Sequence, residues 1–236
     1  MGLRLRIYKK MKKLLMFDAY GTLISTGNGS IKATEKILEL QDKKIDAVVF
    51  YSDWKKYHRK HIDECNLGDF VTEQDIFARD LRVLYEKYEI DRPYEQDVHI
   101  MLDSLRNRRV FPEVIETIEQ LRREYRVVIA STTDTDPLIF NMKQNNLVAD
   151  AVYTSEIIKK YKPSQLFYQY ILNSEKYKAE DAVFVGDSLL DDVEGPQGIG
   201  MTTIWVDRKN KYTLNERVKP DYIVNNIAEI LDIKLD

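Results

Sequence analysis

Cys65 is the only cysteine in the 236 residues, so no internal disulfide can support the fold, and the chain suits a reducing cytoplasm. Such a thiol reads as buried or incidental before it reads as regulatory. No apolar run is long enough to span a bilayer, and the start lacks the extended apolar stretch of a secretory signal. Neither charge sign predominates: 36 Lys and Arg stand against 39 Asp and Glu, so there is no overall attraction to nucleic acid. The basic start from Arg4 to Lys13 is broken by Leu5, Ile7 and Tyr8 and reads as an extension, with Met11 as an alternative beginning. Internal repeats and low-complexity segments are missing too. A chain of this length can bury a substantial core, and it suits one large α/β domain with an insertion better than two independent domains. Oligomeric state stays open between monomer and homodimer.

What the chain does have is a set of short apolar runs, three of which end on reactive side chains. Lys13 to Phe17 reads as a buried parallel strand, and Gly21 permits a sharp turn that would leave Asp18 exposed at the strand's carboxyl end. In open α/β sheets ligands bind at that end, although an Asp before a turn also serves simply to cap it. Arg126 to Ser131 is a second such strand, ending on the hydroxyls of Ser131, Thr132 and Thr133. Ala182 to Gly186 is a third, followed by Asp187, Ser188 and, further on, Asp192. Between the last two, Tyr161-Lys162-Pro163-Ser164 places a cation before a helix, with Pro163 at its first position.

Helical patterns fill the chain from Ile31 to Leu40, Ser52 to Glu64, Thr72 to Tyr88 and Tyr94 to Leu105. The third is the clearest, with Ile76, Phe77, Leu81, Val83, Leu84 and Tyr88 forming an apolar face. After Pro112 helices alternate with strands: Pro112 to Tyr125, Asp136 to Asn146 and Ser164 to Asn173 are helical, and Thr202 to Val206 and Tyr222 to Val224 are strands. That alternation predicts a Rossmann-like parallel sheet covered on both faces.

In this order, carboxylate, hydroxyl, lysine and carboxylate pair, the segments resemble the four motifs of the haloacid dehalogenase superfamily of hydrolases. The resemblance runs from about Lys12 to Leu231. It implies an α/β core made of residues 1–25 and 106–236, with a helical cap of residues 26–105 inserted after the first motif and hinges near Gly27–Gly29 and Leu105–Arg109. It also implies that Asp18 is a nucleophile forming a covalent aspartyl intermediate, that Ser131 or Thr132 holds the transferring group, and that Lys162 steadies nucleophile and substrate. Asp187 and Asp192 match the acidic motif, and with Asp18 and the carbonyl of Tyr20 they would hold Mg²⁺, in keeping with an oxygen-only donor set. A carboxylate nucleophile splits a hard hydrolysis into capture and release, and a fixed cation and hydroxyl stabilise the charge that develops.

The motifs are mixed. Family phosphatases carry an acid where this chain has Tyr20, and a phenol is a poor proton donor near neutrality. Asp-x-Tyr-Gly-Thr-Leu matches the members that expel halide, which needs no proton. The fourth motif, Gly186-Asp187-Ser188 with Asp192, matches phosphatases instead. The second motif, Ser131-Thr132, lacks the dehalogenases' usual Ser-Asn, and Lys55 falls near the place of their cap arginine, where it would meet substrate without the planar two-pronged grip. Tyr168 matches a dehalogenase tyrosine and equally a core aromatic. The resemblance therefore implies a Mg²⁺-dependent phosphatase on a small phosphorylated, anionic metabolite, with a metal-independent 2-haloacid dehalogenase and a non-catalytic anion-binding or regulatory protein of the same fold as alternatives.

Other residues carry blander expectations. His58 and His61 share a helix face, His99 lies elsewhere, and without an acidic partner they read as lining a surface rather than binding zinc. Asp134 and Asp136 follow Ser131 and could approach the site, though capping the helix after Pro137 is the simpler role. Arg106, Arg108 and Arg109 could attract an anionic substrate but read as a solvated charge run. Asp191 is the lesser neighbour of Asp192.

Overall fold

The computed structural model describes residues 13–41, 44–210 and 217–235, so the basic start up to Lys12 lies outside the described residues. Strand β1 (Leu14–Phe17) leads into four helices, α1 (Gly29–Glu39), α2 (Ala47–Leu67), α3 (Glu73–Lys87) and α4 (Glu95–Leu105). Then follow α5 (Val114–Glu124), β2 (Arg126–Ser131), α6 (Thr135–Gln144), β3 (Ala151–Thr154), α7 (Ser155–Ile158), α8 (Gln165–Glu175), β4 (Ala182–Gly186), β5 (Thr202–Val206) and β6 (Tyr222–Val224). The strands form one sheet in the order β3-β2-β1-β4-β5-β6, every pairing parallel.

Parallel strands need cover on both faces, and alternate residues of β1 supply it. Leu15 and Phe17 pack with Val127, Ile129 and Val185 beneath Ile118 and Leu121 of α5 and Leu138 of α6. Leu14 and Met16 pack on the other face with Val128 and Phe184 beneath Phe167, Tyr168 and Ile171 of α8. Tyr168 is thus a core aromatic, its ring edge-on to Phe184 and its hydroxyl donating to the Asp191 carbonyl. Register sets Phe17 opposite both Ile129 and Val185, so the residues after three adjacent strands emerge together at the sheet's carboxyl edge. Strand order reverses at β1 and β4, and that edge is where open α/β sheets bind ligands.

Three local expectations need correction. β3 and α7 are additional elements, because a four-residue edge strand followed by a single helical turn leaves almost no periodic signal. α2 begins at Ala47, since Asp46 accepts from the Val48 and Val49 amides at 2.9 Å and so supplies a cap ahead of the apolar run. Pro163 does not start a helix. It occupies the third position of a turn, after a cis peptide bond, closed by Ser164 N donating to Tyr161 O at 3.0 Å, and α8 starts at Gln165.

Helices α1 to α4 gather around Phe50, Trp54, Phe77, Leu81 and Leu84, forming the inserted helical cap. Its two connections to the sheet run antiparallel beside each other, with Ile24 bridging Val110 and Ser25 N donating to Arg109 O at 2.8 Å. Inside the cap the histidine expectation fails. Asp80 is fully buried and accepts from Trp54 Nε1 at 3.1 Å, His58 Nδ1 at 2.7 Å and His61 Nδ1 at 2.6 Å. Asp80 lies on α3 and the other three residues on α2, so only packing of the two helices reveals the acidic partner. Asp80→Ala would orphan three donors and is expected to lower stability by about 3–5 kcal/mol, read as a fall in the urea midpoint.

Candidate active site

Asp18 leaves β1 with its amide donating to Val185 O at 2.9 Å, which extends the β1–β4 pairing by one step and fixes the carboxylate between the two strand ends. Contrary to the exposed position expected, Asp18 is only 6% exposed, because the cap lies over the sheet edge. Lys162 reaches it from the turn before α8: Nζ lies 2.7 Å from Asp18 Oδ1 and 2.6 Å from Asp192 Oδ1. The other Asp192 oxygen accepts the Ser188 amide at 2.9 Å, so both of its oxygens are engaged. Asp187 is exposed, on a second cleft lined also by Gly21, Trp205 and Arg208. Gly21 is required there twice over, with φ of +103° and a Cβ position that would fall 2.4 Å from Asp187 Oδ2.

Carboxylate oxygens of Asp18, Asp187 and Asp192 lie within 4.8 Å of one another. One ammonium against three carboxylates leaves an excess of negative charge. Burial pushes the Asp192 carboxyl well above its usual range, reinforced by Asp18 and Asp187 and opposed by Lys162. Desolvation in the cleft, then the charge of Asp18, pushes the Asp187 carboxyl up to about 6. Burial works against the Lys162 ammonium, yet its two carboxylate neighbours hold its pKa above the ordinary lysine value. An all-oxygen cluster with surplus charge can coordinate a divalent cation. Asp18, Asp187 and Asp192 are the carboxylates that could hold such an ion, and of these Asp192 already accepts from Lys162 and from the Ser188 amide.

On the cap side Asp18 faces a cavity of about 360 Å³. Tyr20, Ser131, Thr132 and Lys55 all line it, so the structure brings the expected substrate-facing residues onto one space. Tyr20 is held in place by Asn141, whose Nδ2 donates to the phenol at 3.0 Å, and burial pushes its pKa up to about 12. Lys55 is exposed, its ammonium 5.3 Å from the Tyr51 ring.

Arg59 and Glu73 carry no mark in the sequence, and Asp134 and Arg108 take places other than the simpler ones expected. Arg59 crosses from α2 to Asp191 at 2.5 Å, lining the cavity on the way. Glu73, at the start of α3, accepts from Thr133 Oγ1 at 2.7 Å, and burial raises its pKa. Asp134 does not cap its own helix; it accepts from the Glu73 and Gln74 amides at 2.9 Å each, meeting the free N–H groups and positive end of α3. Arg108 is no solvated residue: it is 9% exposed and lines the cavity, whereas Arg106 and Arg109 are exposed as expected. The proximity of Asp134 to Thr133 in the chain was the only available signal for these cap contacts.

The cluster tolerates no added bulk at the end of β4. A Cβ on Gly186 would fall 2.2 Å from Asp192 Cγ, so Gly186→Ala is expected to displace Asp192 and cost roughly 1–3 kcal/mol, measured by urea unfolding.

The haloacid dehalogenase-like hydrolase family model matches residues 12–200. The pyrophosphatase PpaX of Bacillus cereus (strain Q1) is 26% identical over 233 residues, covering 94% of this chain and 96% of that one. A glyceraldehyde 3-phosphate phosphatase of Methanocaldococcus jannaschii is 32% identical over 84 residues, 36% of this chain. The chain spans only 37% of that enzyme's length, and 50% of a Saccharomyces cerevisiae relative. Among solved structures, L-2-haloacid dehalogenase from Xanthobacter autotrophicus superposes with a TM-score of 0.76 at 17% identity, covering 93% of this chain and 97% of that one. The HAD-hydrolase YfnB of Bacillus subtilis, bound to magnesium, superposes with a TM-score of 0.76 at 18% identity, covering 95% of this chain and all of that one. At such identities the structures share the fold alone. With a carboxylate ending the central strand, a buried lysine on it and an acidic pair at the neighbouring strand, the matched segment places this chain in the haloacid dehalogenase-like hydrolases.

Proposed function

We propose that this hydrolase is a Mg²⁺-dependent phosphatase acting on a small phosphorylated metabolite, with Asp18 as nucleophile. The observation that carries this reading is the surplus of carboxylate around a single ammonium at Asp18, Asp187 and Asp192. A phosphate brings further negative charge to that place, and only a bound cation makes the encounter favourable. Phosphatases among the relatives support the same reading. When bound by Asp18, Asp187 and the Tyr20 carbonyl, Mg²⁺ would offset that charge and orient the phosphoryl oxygens.

The chain's own residues then divide the work. Asp18 attacks phosphorus, the bond from phosphorus to the leaving oxygen breaks, and water later splits the aspartyl phosphate to release inorganic phosphate and restore Asp18. Ser131 and Thr132 donate to the phosphoryl oxygens, while Lys162 holds Asp18 by its Oδ1. The leaving oxygen needs a proton that Tyr20, with its pKa of about 12, gives up poorly at neutrality. Glu73 is the other acid on the cavity wall, and its raised pKa keeps more of it protonated than an ordinary carboxyl. Lys55 stands at the cap side to meet the substrate's anionic charge.

The dehalogenase reading rests on Tyr20 itself, since a departing halide requires no proton. Hydrolysis of an aryl phosphate, an acyl phosphate and 2-chloropropionate, with and without Mg²⁺ and beside Asp18→Asn, separates the two. Phosphate release that needs both Mg²⁺ and Asp18 is the expected result; chloride release without metal would replace it.

Glu73→Gln is expected to slow alkyl phosphates by about 10²-fold and aryl phosphates far less, because only a poor leaving group needs the acid. Since Glu73 donates in its protonated form, alkyl phosphate turnover should fall as pH rises through its elevated pKa. Tyr20→Asp supplies an acid in the first motif and should raise alkyl relative to aryl turnover; unchanged relative rates would count against this division of roles.

A further inference from the structure

Arg108 is a buried cation without a carboxylate. It is 9% exposed and forms no ion pair among the described residues. Its Nε donates to Ser104 O at 3.1 Å and one terminal nitrogen to Ser30 Oγ at 3.3 Å, both neutral acceptors, which leaves the rest of the guanidinium fork without an acceptor among the described residues. The guanidinium carbon lies 5.3 Å from the centre of the Tyr20 ring. Burial alone pushes its pKa down, against the weaker pull of Tyr20, Tyr51 and Glu73. An arginine stays charged under such conditions, so the fold carries an uncompensated buried charge on the cavity that holds Asp18.

A buried charge of this kind is usually paired, and here it lines the cavity that Asp18 also lines. Elsewhere in this molecule arginines with planar access to a carboxylate take it by two prongs, as Arg92 does with Asp97 at 2.8 and 2.9 Å. The second cavity arginine, Arg59, is already engaged with Asp191. Lys55 is exposed, and His58 is tied through Nδ1 to Asp80. Glu73, the opposing acid on the wall, is shifted by burial toward its neutral form.

We propose that Arg108 is a subsite for a carboxylate on the substrate, so that the substrate class is small phosphorylated carboxylic acids. This narrows the phosphatase reading and rests on it for the phosphate half alone. Phosphate would sit by Asp18, Ser131 and Thr132, and the carboxylate would close the guanidinium fork beside Tyr20 at the hinge. A volume of about 360 Å³ suits a short acid, with Trp54, Phe77, Met101 and Leu105 along the apolar part of the wall.

The test uses two stable isosteres, 3-phosphonopropionate and 3-phosphonopropionamide, bound to the wild-type chain with Mg²⁺ and followed by calorimetry. The acid is expected to bind about 10²-fold more tightly than the amide, with the gap shrinking to about 3-fold in Arg108→Met and to an intermediate value in Arg108→Lys, which keeps the charge but loses the fork. A gap that is absent in the wild type, or that persists in Arg108→Met, overturns the subsite. Arg108→Met should also keep or raise the melting temperature, since it removes an unpaired buried charge; a lower one, with the gap unchanged in Arg108→Lys, would assign Arg108 to holding the hinge. If neither phosphonate binds, the phosphatase reading fails, and the same comparison with 2-chloropropionate and 2-chloropropionamide decides Arg108 separately. Acid preference lost in Arg108→Met then retains the carboxylate subsite, and its persistence or absence overturns it.

Discussion

Lys162 sits 1% exposed between two carboxylates that follow different strands, and most of the site's geometry depends on that placement. Without its ammonium, Asp18 after β1 and Asp192 beyond β4 would repel each other in a poorly solvated space. With it, the ends of two neighbouring strands are drawn to a common point, and the turn carrying Lys162 is drawn there too. The same turn begins at Tyr161, whose amide accepts no freedom either: it donates to Asn66 Oδ1 at 2.9 Å, and the Tyr161 hydroxyl donates to Val71 O at 2.8 Å. Asn66 and Val71 flank the passage from α2 to α3, so the contacts that order the carboxylates also bring the cap down onto the sheet.

The cap is fastened elsewhere by charge meeting charge or dipole. Arg59 of α2 meets Asp191, beside the acidic pair, and Asp134 after β2 caps the first turn of α3. Each of these ties starts within a few residues of a site residue on the sheet. A small apolar cluster of Ile62, Cys65, Ile76 and Tyr161 fills the space beneath them, which accounts for the single cysteine as a packing residue. Cap closure and site assembly are consequently one arrangement, and the cavity over Asp18 is walled by both parts.

Tyr20 gives the site its individual character. Its phenol is fixed by Asn141 of α6 and flanked by Arg108 at the hinge, so it shapes the wall where an acid would otherwise stand. The same cavity is lined by Glu73, anchored by Thr133, to which the proposed mechanism gives the proton donation that Tyr20 supplies poorly. A first motif that resembles halide-expelling enzymes and a fourth that resembles phosphatases are thus compatible in one chain, provided that the cap supplies what the first motif lacks.

Every strand but β3, the carboxyl-end residues and the inserted helices were legible in the sequence because each rests on local periodicity: continuous apolar runs for β1, β2 and β4, and spaced apolar residues for α3 and α5. Family resemblance assigned Asp18, Lys162, Asp187 and Asp192 in order, and the structure sets their side chains together. What the sequence could not carry was partnership across long separations. His58 and Asp80, Arg59 and Asp191, and Glu73 and Thr133 lie far apart in the chain, and nothing in their own neighbourhoods marks them as pairs. Arg106, Arg108 and Arg109 look alike as letters, yet the hinge buries one and leaves two exposed. Local sequence determined the elements and which residues end them, because hydrogen-bonding period and side-chain pattern are local properties. Only the packing of cap on sheet decided which charges are desolvated and which find a partner, because burial and Coulomb attraction depend on distance in space.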